Sequence, residues 1–210
     1  GGSFIIQHTD GLRSVFNLAY SETGGANINS GPDYLHILGQ KGVSNAPGQP
    51  NNARRLISGF YDLSGENWTL SAFLLDEDRG DGFGALNVLS QPQKYVQSAT
   101  QRGVEFKANQ TLDQWTVDYQ FATKYFRREY DKLMILPPNP FGIYKNGLLG
   151  SSIEAEQRYE MGVDFSRTAM NHRLLLGFDF ARSEASDIHY ASNFLDQSPI
   201  PGTRLPTPLS

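Results

Sequence analysis

The segment Arg127–Gly147, RREYDKLMILPPNPFGIYKNG, concentrates groups able to hold a ligand. Arg127, Arg128 and Lys132 supply cations, and Tyr130, Phe141 and Tyr144 supply aromatic rings, a combination suited to anionic or aromatic ligands. Pro137, Pro138 and Pro140 would stiffen the segment and lower the ordering cost of binding. The competing reading is a loop that merely packs over the rim of a sheet. A second segment, DEDRGDGFG (76–84), carries Asp76, Asp78 and Asp81 as a calcium loop would, but Asn87 stands at the twelfth position, where such a loop needs Glu. Its glycines are not followed by a helix pattern, so they make no dinucleotide fingerprint, and the Arg79-Gly80-Asp81 triplet is short enough to arise by chance. A solvated external loop is expected there, with a weak cation site as the alternative.

The remaining chemistry-bearing types are sparse. His8, His36, His172 and His189 show no metal-ligand spacing, cysteine is absent, and there is no G-x-S-x-G element. No metal, cofactor or catalytic residue is expected, and the chain does not read as an enzyme. A net charge of −4 gives no basic footprint for nucleic acid. Mean hydropathy is −0.44, and no run approaches the roughly 18 apolar residues of a spanning helix. The N-terminus has no charged and then apolar leader, which fits a cytosolic chain or a fragment lacking its true start.

What must position these residues is a set of strands. Helical periodicity is weak, whereas period-two segments recur near Leu12–Tyr20, Ala53–Asp62, Trp68–Asp76, Tyr95–Asn109, Gln114–Phe126, Gln157–Ser166 and His172–Arg182. Several are longer than the usual mode of roughly 5–6 residues. Short links of turn composition (63–67, 110–113, 168–171) alternate with long polar connections (21–52, 77–94, 127–156 and the tail from Ser183). In an up-and-down sheet this places every tight turn at one end and every long loop at the other, the asymmetry of outer-membrane barrels.

Alternation then separates two faces. Trp115, Val117, Tyr119, Phe121, Tyr125, Tyr159, Val163, Phe165, Leu174, Leu176 and Phe178 form an apolar set, expected to face lipid. Glu105, Lys107, Asp118, Lys124, Arg158, Glu160, Asp164 and Asp179 form the opposite, polar set, expected to line a lumen. Polar walls of a water-filled or plug-filled lumen explain those charges better than an ion path or paired catalytic carboxylates. Trp115 and Tyr125 lie about 33 Å apart along a strand, or roughly 23 Å at a 45° tilt, close to the ~25 Å apolar band of such barrels. Arg102 falls on the apolar parity and Ala53–Asp62 alternates poorly; a bulge would correct either.

The ordered pattern resembles the N-terminal part of the barrel of a TonB-dependent outer-membrane receptor. GGSFIIQHTDGLRSVFNLAY resembles the end of that family's plug passing into the first strand; RRLISGFYDLSGENWTLSAFLLDEDRGDGF and TQRGVEFKANQTLDQWTVDYQFATKYF resemble its hairpins. The fold expected is thus all-β, an incomplete antiparallel up-and-down transmembrane barrel of about seven strands. Residues 1–11 would end the plug and link to the barrel, with 3–7 open between plug and a further barrel strand; 12–182 would form the partial barrel, and 183–210 belong to an extracellular loop. The resemblance implies a bacterial outer-membrane location, partnership with outer-membrane lipid, the chain's own plug and the TonB complex, and uptake of a small-molecule substrate such as an iron–siderophore complex. External loops capture substrate in that family, which places Arg127, Arg128, Tyr130, Phe141 and Tyr144 at the ligand. The alternatives are a passive porin and a soluble or surface β-sandwich that binds glycans or proteins.

Overall fold

The computed structural model describes residues 1–25, 27–82, 88–89, 95–138 and 147–193. Within them the chain is all-β: β1 (Gly2–Gln7), β2 (Arg13–Thr23), β3 (Arg54–Ser64), β4 (Trp68–Arg79), β5 (Gln97–Leu112), β6 (Trp115–Leu136), β7 (Leu148–Ala169) and β8 (His172–Ser192), with one helical turn, α1 (Tyr34–Ile37), between β2 and β3. The strands form one sheet in chain order, every neighbouring pair antiparallel, and β1 and β8 are its open edges. This is the expected up-and-down, barrel-like architecture.

Three expectations change. The described strands number eight rather than about seven, because Gly2–Gln7 pairs along β2 from Gly2↔Leu18 to Gln7↔Arg13. These residues extend the sheet by one strand. Second, Arg127–Leu136 and Leu148–Glu156, read as loop, continue β6 and β7, and Ser183–Ser192 continues β8. Both faces of these extensions are polar or mixed, so the apolar alternation fades while the backbone ladder continues. Third, no bulge interrupts the pairing of β3 with β2 and β4, or of β5 with β4 and β6. Arg102 therefore stays on the apolar face, with its guanidinium carbon 4.6 Å from the Tyr125 ring centroid. The poor alternation of β3 is real: Phe60 sits on the polar face, opposite Asn17 and Phe73.

Directly paired residues share a face, so the two faces can be followed across the sheet. One row of partners runs Phe4, Phe16, Tyr61, Ala72, Val104, Thr123, Tyr159, Arg182 through all eight strands. Ile6, Leu18, Tyr20, Leu63, Leu70, Leu74, Phe106 and Phe121 share that face, as do all eleven residues expected to meet lipid. Many of its large side chains are exposed, reaching 62% for Phe178 and 65% for Phe4, while Trp115, Tyr119, Tyr125 and Phe165 are half-buried and Val117 is covered by its neighbours at 1%. The apolar band crosses the rows diagonally. In β2 it climbs from Phe16 to Tyr20, a row that has already become Asp76, Thr100 and Arg127 in β4 to β6. In β8 it descends to Leu176, a row that ends at Gln110 beside the β5 turn. A band of constant height crossing strands this way requires the strands to lean against it, as barrel strands do.

The tight links all lie at one end of the sheet. Two are two-residue turns, between β5 and β6 and between β7 and β8, and each places a non-glycine residue at positive φ: Asp113 at 57° and Met170 at 56°. Asp tolerates this region, whereas an unbranched apolar side chain gains nothing there. Because the Met170 side chain is 97% exposed, Met170→Gly removes the backbone penalty and no contact. The substitution is expected to raise the unfolding free energy by about 0.5–1 kcal/mol in urea titration; an unchanged or lowered midpoint counts against strain at this turn.

Candidate functional site

The polar face is built from the alternate residues of the same strands. Glu105, Lys107, Asp118, Lys124, Arg158, Glu160, Asp164 and Asp179 all share it, as their registers require. They are not eight separate charges. Lys124 Nζ lies 2.6 Å from Glu160, whose other oxygen takes Arg158 Nε at 2.6 Å. Lys107 lies 2.9 Å from Glu105, which also accepts a hydrogen bond from the Gln120 amide at 3.0 Å. Toward the tight turns, a cleft of about 330 Å³ is bordered by Asp118, Asp164 and Asp179, with Lys107 and Gln120 beside them. Glycine makes room for two of these carboxylates: a Cβ at Gly162 would meet Asp179 Oδ1 at 2.8 Å, and one at Gly177 would meet Asp164. Among the described residues, no three His, Cys, Asp or Glu are grouped to hold a metal ion.

At the opposite end of the sheet the connections pack on one another as a layer of loops. The Asp33 side chain caps α1 by accepting the His36 N–H at 2.9 Å, and its second oxygen accepts the Leu89 N–H at 3.1 Å. One carboxylate thus ties the β2–β3 connection to the β4–β5 connection. The Asn45 N–H adds a bond to the Leu89 carbonyl at 3.0 Å, and Asn51 and Gly82 exchange a pair of backbone bonds. Leu35, Val88 and Leu89 are almost fully buried here, so the most thoroughly buried apolar side chains of this region lie in connections rather than in the sheet. Burial alone would raise the Asp33 carboxyl, but hydrogen bonds from Ser44 and from the His36 and Leu89 amides outweigh it and hold the group below its ordinary value.

Between the loop layer and the polar face lies a cleft of about 500 Å³, lined by Asn51, Asn52, Arg54, Arg79, Gln97 and Tyr130 among others. Arg54, Arg79, Gln97 and Tyr130 are successive partners in one row across β3 to β6. Arg54 and Arg79 share Glu77, at 2.6 Å and 3.6 Å, and Arg79 donates to Gln97 at 3.2 Å. Arg128 stands on the same face one row below, its guanidinium over the Phe126 ring at 5.4 Å. The cleft offers an acceptor-bearing ligand the Arg54 and Arg79 guanidinium groups beside the Tyr130 phenol.

The sequence-derived ligand residues divide accordingly. Arg127, Arg128 and Tyr130 lie in β6 and not in a loop, and alternation puts Arg128 and Tyr130 on the polar face but Arg127 on the apolar one, where it pairs with Glu129 at 3.0 Å. Phe141 and Tyr144 fall outside the described residues. Arg54 and Gln97 are not among the residues expected from sequence, and Arg79 enters there only within the Arg79-Gly80-Asp81 triplet, although the strand parity of Arg54 and Arg79 relative to Ser58 and Leu75 carries the signal. Asp76 and Asp78, weighed as calcium ligands, lie in β4, where Asp76 accepts from Thr100 at 2.5 Å and Asp78 pairs with Arg55. No family model matches the chain, and no curated protein or solved structure is similar enough to match it.

The Asp33 tie sets an expectation for the loop layer. Asp33→Ala leaves two amide donors without their acceptor and is expected to lower local protection at the His36 and Leu89 amides by about 1–2 kcal/mol in hydrogen exchange. Since the folded carboxyl titrates below its unfolded value, its contribution is complete above the ordinary Asp range near 3.9 and is lost as pH falls through the lowered value. Protection factors should hold between pH 7 and about 5 and fall only in stronger acid; a fall near neutrality would contradict this assignment.

Proposed function

We propose that this chain is barrel wall from an outer-membrane transport receptor, taking up a scarce nutrient such as an iron–siderophore complex by TonB-dependent active transport. The observation that carries the membrane reading is the apolar face: exposed large side chains on every strand, in a band that crosses the strands at a slant. In water this would be one very large apolar patch; against lipid tails it is satisfied, and the polar face then meets water or a plug. Aromatic rings with cations over them stand at both ends of the apolar stretch of β6, Arg167 over Trp115 at 5.8 Å and Arg102 over Tyr125 at 4.6 Å, as interfacial anchors do. The cleft at Arg54, Arg79 and Tyr130 is where an incoming ligand would first meet the polar face. The plug, the energy coupling and the iron–siderophore class rest on the family resemblance of residues 1–182. The partners in this reading are outer-membrane lipid, the plug, the TonB complex and the small-molecule substrate, with no nucleic acid and no catalysis.

Two experiments test it. In vesicles, Phe121→Arg puts a cation in the middle of the apolar band and should cost about 2–4 kcal/mol, whereas Gln120→Arg on the polar face should cost little. Equal costs, or monodisperse folding of the chain in plain buffer, would remove the membrane reading. Uptake of labelled iron complexes by cells making the full-length receptor should stop when the proton gradient is collapsed; unchanged uptake points to a passive pore.

A further inference from the structure

Arg102 breaks the rule that governs the outer face. It stands within the apolar band, between its partners Leu74 on β4 and Tyr125 on β6, with no slip in either ladder to turn it inward. The Tyr125 ring covers one side of the guanidinium, and among the described residues no carboxylate pairs with it. Stacking on a ring leaves the in-plane N–H donors unused. The contrast with its neighbours is sharp: Arg127 has Glu129, Arg182 has Glu184, and Arg167 donates to Gln114.

Directly below Arg102, toward the tight turns, the same face carries a groove of about 440 Å³. Val104 and Phe106, Phe121, Tyr159 and Met161, and Phe180 form its walls, and the short Thr123 side chain leaves it open between them. Arg182 stands at its far side, next along β8 from Phe180 on this face and opposite Tyr159. A cation lacking an anion therefore sits at the mouth of an apolar channel. It also sits at the right height: the next row toward the loops is Asp76, Thr100 and Arg127, where the band has become polar.

We propose that Arg102 and this groove seat one lipid whose headgroup carries a phosphate, the acyl chain lying along Val104, Phe121 and Tyr159 while phosphate oxygens accept the Arg102 donors. The inference rests on the outer face meeting lipid. The occupant follows from the two features together. A free phosphate has no use for the groove, and an uncharged lipid leaves the guanidinium without an acceptor in apolar surroundings. Planar, forked donors suit phosphate better than a point charge does, so Arg in this position is not equivalent to Lys.

The test uses the full chain in vesicles of digalactosyldiacylglycerol, with and without a small fraction of phosphatidic acid. Flotation with the phosphate-free vesicles reports the parent reading alone, and wild-type protein that fails to float overturns that reading. Native mass spectrometry of protein released from the doped vesicles then counts retained lipid. Wild type and Arg173→Ala, which removes a cation from the polar face, should keep one phosphatidic acid. Arg102→Ala should retain it roughly tenfold less, and Arg102→Lys should fall between. Thr123→Phe, which fills the groove and leaves Arg102 in place, should also lose it. Equal retention by wild type and Arg102→Ala, or galactolipid held as tightly as phosphatidic acid, overturns the seat while flotation preserves the parent reading. Displacement by inorganic phosphate at equal concentration overturns it too, because the anion alone would then account for binding.

Discussion

Everything in this sheet depends on a ladder that does not slip. A strand has a side-chain period of two, so one extra residue in any pairing would exchange the faces of every strand beyond it. From β1 to β6 the register runs without a shift. The shifts that do occur lie between Tyr130 and Leu133, between Met134 and Leu136, and at Ala155/Glu156. All three are at or beyond the row where the outer face has turned polar, so irregularity is confined to where face identity carries little energy. Within the band, uninterrupted pairing keeps Glu105, Lys124 and Glu160 on one side and Phe106, Phe121 and Met161 on the other.

The polar network and the apolar band are consequences of the same alternation, but they are stabilised differently. On the polar face, charges are partnered across strands, Lys124 with Glu160 and Gln120 with Glu105, and each such exposed pair contributes little singly. On the outer face no partner within the sheet covers Phe4, Leu176 or Phe178. The energetics of that face lie in what surrounds it. The loop layer is a third case, with buried apolar side chains and a buried carboxylate of its own.

Legibility in the sequence followed these differences. Where one face was apolar and the other polar, as from Trp115 to Tyr125, alternation identified strand, facing and approximate height. Where both faces were polar or mixed, as from Arg127 to Leu136, the periodic signal vanished although backbone pairing continued, and the segment read as loop. Phe4-Ile5-Ile6 stayed open for the opposite reason: three consecutive apolar residues show no alternation, so the segment read equally as a link or as a sheet strand. The ligand residues suffered from the same loss. Without strand parity, Arg127 could not be separated from Arg128, and the row joining Arg54, Arg79 and Tyr130 spans four strands that no local pattern connects. The Asp33–Leu89 bond joins residues 56 apart in sequence; a cap before a short helix was readable in principle, its second acceptor was not.

The slanted band has one more consequence. A one-residue slip is punished at once by the reversal of both faces, but a two-residue slip leaves every side chain on its proper side. It would, however, shift one strand lengthwise by about 7 Å relative to its neighbour, lifting part of the greasy belt out of its plane. Colour alone, so to speak, does not protect vertical alignment. That task falls to the ends: two-residue hairpins at Asp113 and Met170 allow no slack below, and backbone bonds such as Asn51 to Gly82 pin the connections above. Lengthening a tight turn by two residues should therefore be a more damaging insertion than its exposed position implies, since it loosens a vernier on which the whole belt is set.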